Sequence, residues 1–123
     1  MVGLLLLSLL APMDDRRAAR PAARPCTPQE VRDLTSPSDR PYRLLCRADL
    51  AGANVSRPVL IEGAEASGAG LDCGGGTIRQ PGEATAQSPT VAVWSRQTPQ
   101  GWSRPTGAVV RHCTVVGTIR IWG

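Results

Sequence analysis

The chain has 123 residues, enough for one domain. It contains no Phe, one Tyr and three Trp, so its core must be built from Val, Ile, Leu and Ala. The basic residues are 14 Arg and no Lys, for a net charge of +4. They form no basic run interleaved with aromatics, which argues against a nucleic-acid partner.

Residues 1–13 hold an apolar core, Val2 to Met13, centred on Leu4-Leu5-Leu6-Leu7. It is shorter than the roughly 20 residues a membrane span needs, and it suits a secretory signal peptide. Only the terminal amine is positive ahead of it, and no clear A-x-A cleavage site follows. A small N-terminal core helix is the alternative, against which the Leu bias argues. The expectation is export to the periplasm or the exterior, with no membrane span in the mature chain. Residues 14–25, "DDRRAARPAARP", read as a disordered linker.

Residues 26–41 read as an N-terminal cap containing one short helix. In "TPQEVRDL", Thr27 is the N-cap, Pro28 the first helical residue and Glu30 the partner in a capping box. Val31 and Leu34 form its apolar face, and Ser36-Pro37-Ser38 stops it. Tyr42 to Ala48 reads as the first strand, with Leu44 or Leu45 turned inward.

Three later segments superimpose: Val59-Leu60-Ile61-Glu62-Gly63, Val91-Ala92-Val93-Trp94-Ser95 and Ile119-Arg120-Ile121-Trp122-Gly123. In each, the first and third residues are β-branched and apolar, and the fifth is small. The starts lie 32 and 28 residues apart. Gly70-Leu71-Asp72-Cys73 and Val110-Arg111-His112-Cys113 supply a second landmark, placed as equivalents. Turn-forming insertions begin at Arg79-Gln80-Pro81-Gly82-Glu83 and occupy Gln97-Thr98-Pro99-Gln100-Gly101. Gly74-Gly75-Gly76 lacks the Lys and the following helix of a phosphate loop, and reads as a tight turn.

The stretch from Val55 to Gly123 has no helical apolar spacing, and Gly and Pro recur too often for long helices. Strands that repeat in one direction pair in parallel, with neighbours about 4.8 Å apart. The expected fold is therefore all-β: a right-handed parallel β-helix of about three coils over residues 42–123, led by the short capping helix.

"GAVVRHCTVVGTIRIWG" and "AGLDCGGGTI" resemble coils of right-handed parallel β-helix repeat proteins, the pectate-lyase-like superfold. The resemblance covers about residues 42–123 and is to the N-terminal portion of such a protein, with further coils or a capping partner expected at the C-terminal end. It implies a secreted protein from a group of polysaccharide lyases, glycoside hydrolases, esterases, epimerases, tailspikes and adhesins. Such a fold constrains chemistry only weakly.

Four Cys, at 26, 46, 73 and 113, allow three pairings. Cys26 and Cys46 flank the cap and are expected to pair. Cys73 and Cys113 fall at matching places in successive coils, within reach of a disulfide. A ladder of unbonded thiols satisfies the same pattern. With one His and no C-x-x-C, no metal site is expected. Glu62, Glu65 and Asp72 are the only candidates for a Ca²⁺ or a catalytic role, against a plainer reading as a solvated face beside Arg111 and Arg120. His112 is either a general base or a polar residue at a bend. No nucleophile has a visible base partner, so no catalytic residue and no cofactor is assigned.

Trp94 and Trp122 occupy one repeat position, and Trp102 lies in the second insertion. With Arg104 and Arg120 they are the candidates for a carbohydrate-binding platform, since an indole face packs against a sugar ring. In the plainer reading, Trp94 and Trp122 seal a corner and Trp102 pins its loop. The function expected is an exported β-helix module with a structural or polysaccharide-recognition role. The alternatives are the leading part of a polysaccharide lyase or glycoside hydrolase whose active site lies in downstream coils, and an adhesin or stalk.

Overall fold

The computed structural model describes residues 23–123. The expected signal-peptide core at 1–13 and residues 14–22 of the expected linker lie outside the described residues. One helix, α1 (Pro28–Thr35), opens the described chain. Its capping box is complete: the Thr27 side chain accepts from the Glu30 N–H at 3.2 Å, and the Glu30 carboxylate accepts from the Thr27 N–H at 2.9 Å. Leu34 is fully buried and Val31 packs against the same core. The apolar face of α1 is thus what ties it to the strands.

Most of the remainder is short parallel strands. The first sheet has the order β1 (Tyr42–Arg43), β3 (Val59–Glu62), β6 (Val91–Trp94), β11 (Ile119–Trp122), all parallel. Val59 pairs with Val91, and Val91 with Ile119. The second sheet joins β2 (Arg47–Asp49), β4 (Gly70–Asp72) and β9 (Val109–Arg111), again in parallel. The third pairs β5 (Thr77–Ile78) with β10 (Thr114–Val115), and Val55 bridges to Ile78. From β1 onward the chain visits the first, second and third sheets in that order three times before ending on β11.

The core follows from alternation. Val59 and Ile61 are buried while Leu60 and Glu62 are half-buried. Leu71, Val55, Ile78 and Val91 complete an aliphatic interior that needs no Phe.

Four features depart from the expected layout. Tyr42 to Ala48 is not one strand: it is β1 and β2, on two different sheets. The chain turns a corner between them, burying Leu44, Cys46 and Ala48 and exposing Leu45 and Arg47. Ala23 to Pro25, assigned to the linker by composition, run beside β2, where the Arg47 N–H donates to the Arg24 carbonyl at 2.9 Å. The second insertion folds on itself as an antiparallel hairpin of β7 (Arg96–Thr98) and β8 (Gly101–Ser103).

The second landmark is shifted by one residue. Leu71 pairs with Val110 and Asp72 with Arg111, so Arg111, not His112, is the partner of Asp72 in the ladder. Burial decides this, because Leu71 and Val110 must both turn inward. The corners that follow differ in length. After Asp72 the chain uses Gly74 and Gly75, at φ +57° and +98°, while after Arg111 a single residue, His112, takes φ +56°. A Cβ on Gly74 would sit 2.9 Å from the Gly52 nitrogen, so the close approach of successive corners also requires glycine there.

Two disulfides close the frame. Cys26 joins Cys46 and Cys73 joins Cys113, each with a Cα–Cα distance of 4.9 Å. The latter two are therefore bonded and not an unbonded ladder. No helix among the described residues is long and apolar enough to cross a membrane.

Candidate functional site

The outward side chains of the first sheet form two rows. Arg43, Leu60, Ala92 and Arg120 make one; Glu62, Trp94 and Trp122 make the other. This face carries Trp94, Trp122 and Arg120 because residues two apart on a strand share a side, and in-register pairing extends that side across the sheet.

Within the second row each indole has a different partner. Trp94 donates its Nε1–H to a Glu62 oxygen at 2.7 Å and is half-buried. Trp122 meets Trp102 of the hairpin, with ring centroids 5.0 Å apart and planes at 88°. Edge-to-face packing of this kind is a favoured aromatic geometry. The aromatic pair is thus Trp102 with Trp122, although Trp94 and Trp122 are the ladder neighbours. Trp102 and Trp122 remain 58% and 48% exposed, so their indoles keep surface for a ligand. The pairing of Trp102 with Trp122 was invisible in the sequence, since it depends on the hairpin folding back.

The two arginines differ as well. Arg104 is exposed and lies next to Gly123, at the Trp122 end of the face. Arg120 is half-buried and donates to the Ala86 carbonyl at 2.8 Å, pinning the first insertion onto the sheet. Beside Trp94 the same face is hollowed into a cavity of about 150 Å³, whose lining includes Leu60, Ala92, Asp39, Gln80 and Gln87.

The three candidate acids point to different partners. Glu62 accepts from Trp94. Glu65 pairs with Arg96 and, at 3.6 Å, with Arg43. A hydrogen bond from its own backbone N–H and one from Arg96 hold its carboxyl below the usual range. Asp72 lies on the second sheet. It takes hydrogen bonds from His112 Nδ1 at 3.0 Å, the Gly74 N–H at 3.0 Å and Arg111 Nε at 3.2 Å. Those donors, His112 foremost, lower its pKa. Among the described residues no three His, Cys, Asp or Glu side chains gather as a metal-binding group. Arg47, Asp49, Asp72 and Arg111 also line a wide open groove of about 530 Å³ on the second sheet.

The first-sheet face offers aromatic surface, amides and a carboxylate beside apolar side chains, the chemistry of a binding surface more than of a catalytic one. In the comparisons with known proteins, no family model, no curated protein and no solved structure matches the chain.

Proposed function

We propose that this chain is an exported module of the right-handed parallel β-helix type that recognises polysaccharide on the outer face of its first sheet. The β-helix reading is supported by the repeated order in which the chain visits three parallel sheets, together with the resemblance of its coils to the pectate-lyase-like superfold. Export is supported by two disulfides, which persist in oxidising compartments, and by the apolar run at 1–13.

The observation that carries the binding reading is the exposed Trp102–Trp122 pair beside Arg104, on the same face as Trp94. Exposed indoles keep an apolar body and a polar N–H available to a sugar ring. The test is binding of labelled glycans to wild type, Trp102→Ala and Trp122→Ala. Loss of roughly tenfold or more in affinity is expected from either substitution. Equal signals from all three proteins would remove the platform.

A second reading is favoured by one observation. Ile119 and Ile121 occupy inward ladder positions yet are 54% and 77% exposed. A further coil or a capping partner stacked on β11 would bury them, as Val91 and Val93 are covered by β11 itself. In that reading the module belongs to a larger polysaccharide lyase, glycoside hydrolase or adhesin, with any reacting groups carried on other coils.

A further inference from the structure

We propose that the cavity beside Trp94 is a subsite for one uncharged pyranose residue and discriminates against uronates, an inference that rests on the carbohydrate reading above. Its volume is about 150 Å³. That is half the roughly 300 Å³ at which pockets for drug-sized ligands begin, a size suited to one sugar ring.

The lining is divided as a pyranose is divided. Leu60, Ala92 and Trp94 supply apolar surface for the C–H face of the ring. Asp39, Gln80 and Gln87 are the polar side chains of the lining suited to its hydroxyls. The Gln80 amide nitrogen already donates to the Ser88 carbonyl at 2.9 Å, so its carbonyl oxygen is the group left to accept from a sugar hydroxyl. Asp39, when ionised, accepts only, and its bonds from hydroxyls are charge-assisted. Sugar hydroxyls can donate to both groups; a carboxylate cannot.

Charge sharpens the choice. Among the described residues lining the cavity, Asp39 is the one that carries a formal charge. The two arginines of the same outward row are engaged elsewhere. Arg43 faces Glu65 at 3.6 Å, and Arg120 donates to the Ala86 carbonyl. A uronate would bring a second carboxylate into a lining whose one formal charge, among the described residues, is the Asp39 carboxylate. Like-charge contact of this kind is how a site rejects a wrong ligand.

The experiment is calorimetric titration of a neutral gluco-oligosaccharide and an oligogalacturonate of equal length. The proteins are wild type, Asp39→Asn, Asp39→Ala, Gln87→Ala and Trp102→Ala, each checked for an unchanged melting temperature. Wild type should bind the neutral ligand about tenfold more tightly than the uronate. Asp39→Ala should weaken the neutral ligand by roughly tenfold, and Asp39→Asn should bring the two ligands close together. A wild-type preference for the uronate overturns the subsite. So does wild-type behaviour of the Asp39 and Gln87 variants alongside loss of binding in Trp102→Ala, a result that leaves the platform standing. Binding of neither ligand by any protein overturns the carbohydrate reading itself.

Discussion

Trp94 donates its indole N–H to the Glu62 carboxylate, 2.7 Å away, across one rung of the first sheet. The two residues face each other in the ladder, so the bond ties neighbouring strands on their outer surface. A hydrogen bond to a charged group is worth about 1.5–3 kcal/mol, and partial exposure reduces this. We expect Trp94→Phe to cost about 1 kcal/mol. A double-mutant cycle with Glu62→Met, which removes the acceptor, should return a coupling of similar size. Additive effects would show that the bond contributes nothing in solution.

The two disulfides should differ in their contribution. Cys26–Cys46 closes a separation of 20 residues and Cys73–Cys113 one of 40. Chain-entropy arguments give about 3 kcal/mol for the shorter loop and about 4 kcal/mol for the longer. Chemical denaturation of Cys26→Ala/Cys46→Ala and Cys73→Ala/Cys113→Ala proteins measures both. The second pair is expected to lose more, and the opposite ranking would point to strain in the native bridge.

Acid should destabilise the fold in a defined window. Hydrogen bonds from Arg24 and from the Thr27 backbone hold Glu30 at a pKa of about 2, against an ordinary 4.5. Asp72 is lowered from 3.8 by His112, Gly74 and Arg111. Because the folded values are depressed, the stabilisation is complete above the unfolded pKa and disappears as pH falls through the folded one. Urea midpoints should therefore decline between pH 4.5 and about 2. Glu30→Gln should flatten that decline, and an unchanged profile would sever the link to this carboxylate.

Ile61 and Ile121 test the open edge. Both are inward ladder positions, but Ile61 is fully buried while Ile121 is 77% exposed. Ile61→Ala should cost about 3 kcal/mol, from lost burial and the cavity left behind. Ile121→Ala should cost less than about 1 kcal/mol. Equal costs would mean that the β11 edge is covered in solution.

What was readable from the chain is local. Thr27, Pro28 and Glu30 define the start of α1 because a capping box depends on residues three apart. Val59, Val91 and Ile119 announce a common ladder because a strand's alternation is written directly in its side chains. Of the outward face of the first sheet, Trp94, Trp122 and Arg120 were legible for that same reason.

Other features were settled only by the tertiary structure. The partner of Asp72 in the ladder is Arg111 because the corners differ in length, and only burial of Leu71 and Val110 sets the register. Trp102 meets Trp122 only because residues 96–103 fold back as a hairpin. The cavity beside Trp94 brings Asp39 together with Gln80 and Gln87 from two separate loops. Sequence by itself determined the elements whose interactions repeat at fixed short spacing. Contacts across corners and loops have no fixed spacing, so they depend on how packing of the aliphatic interior brings those segments together.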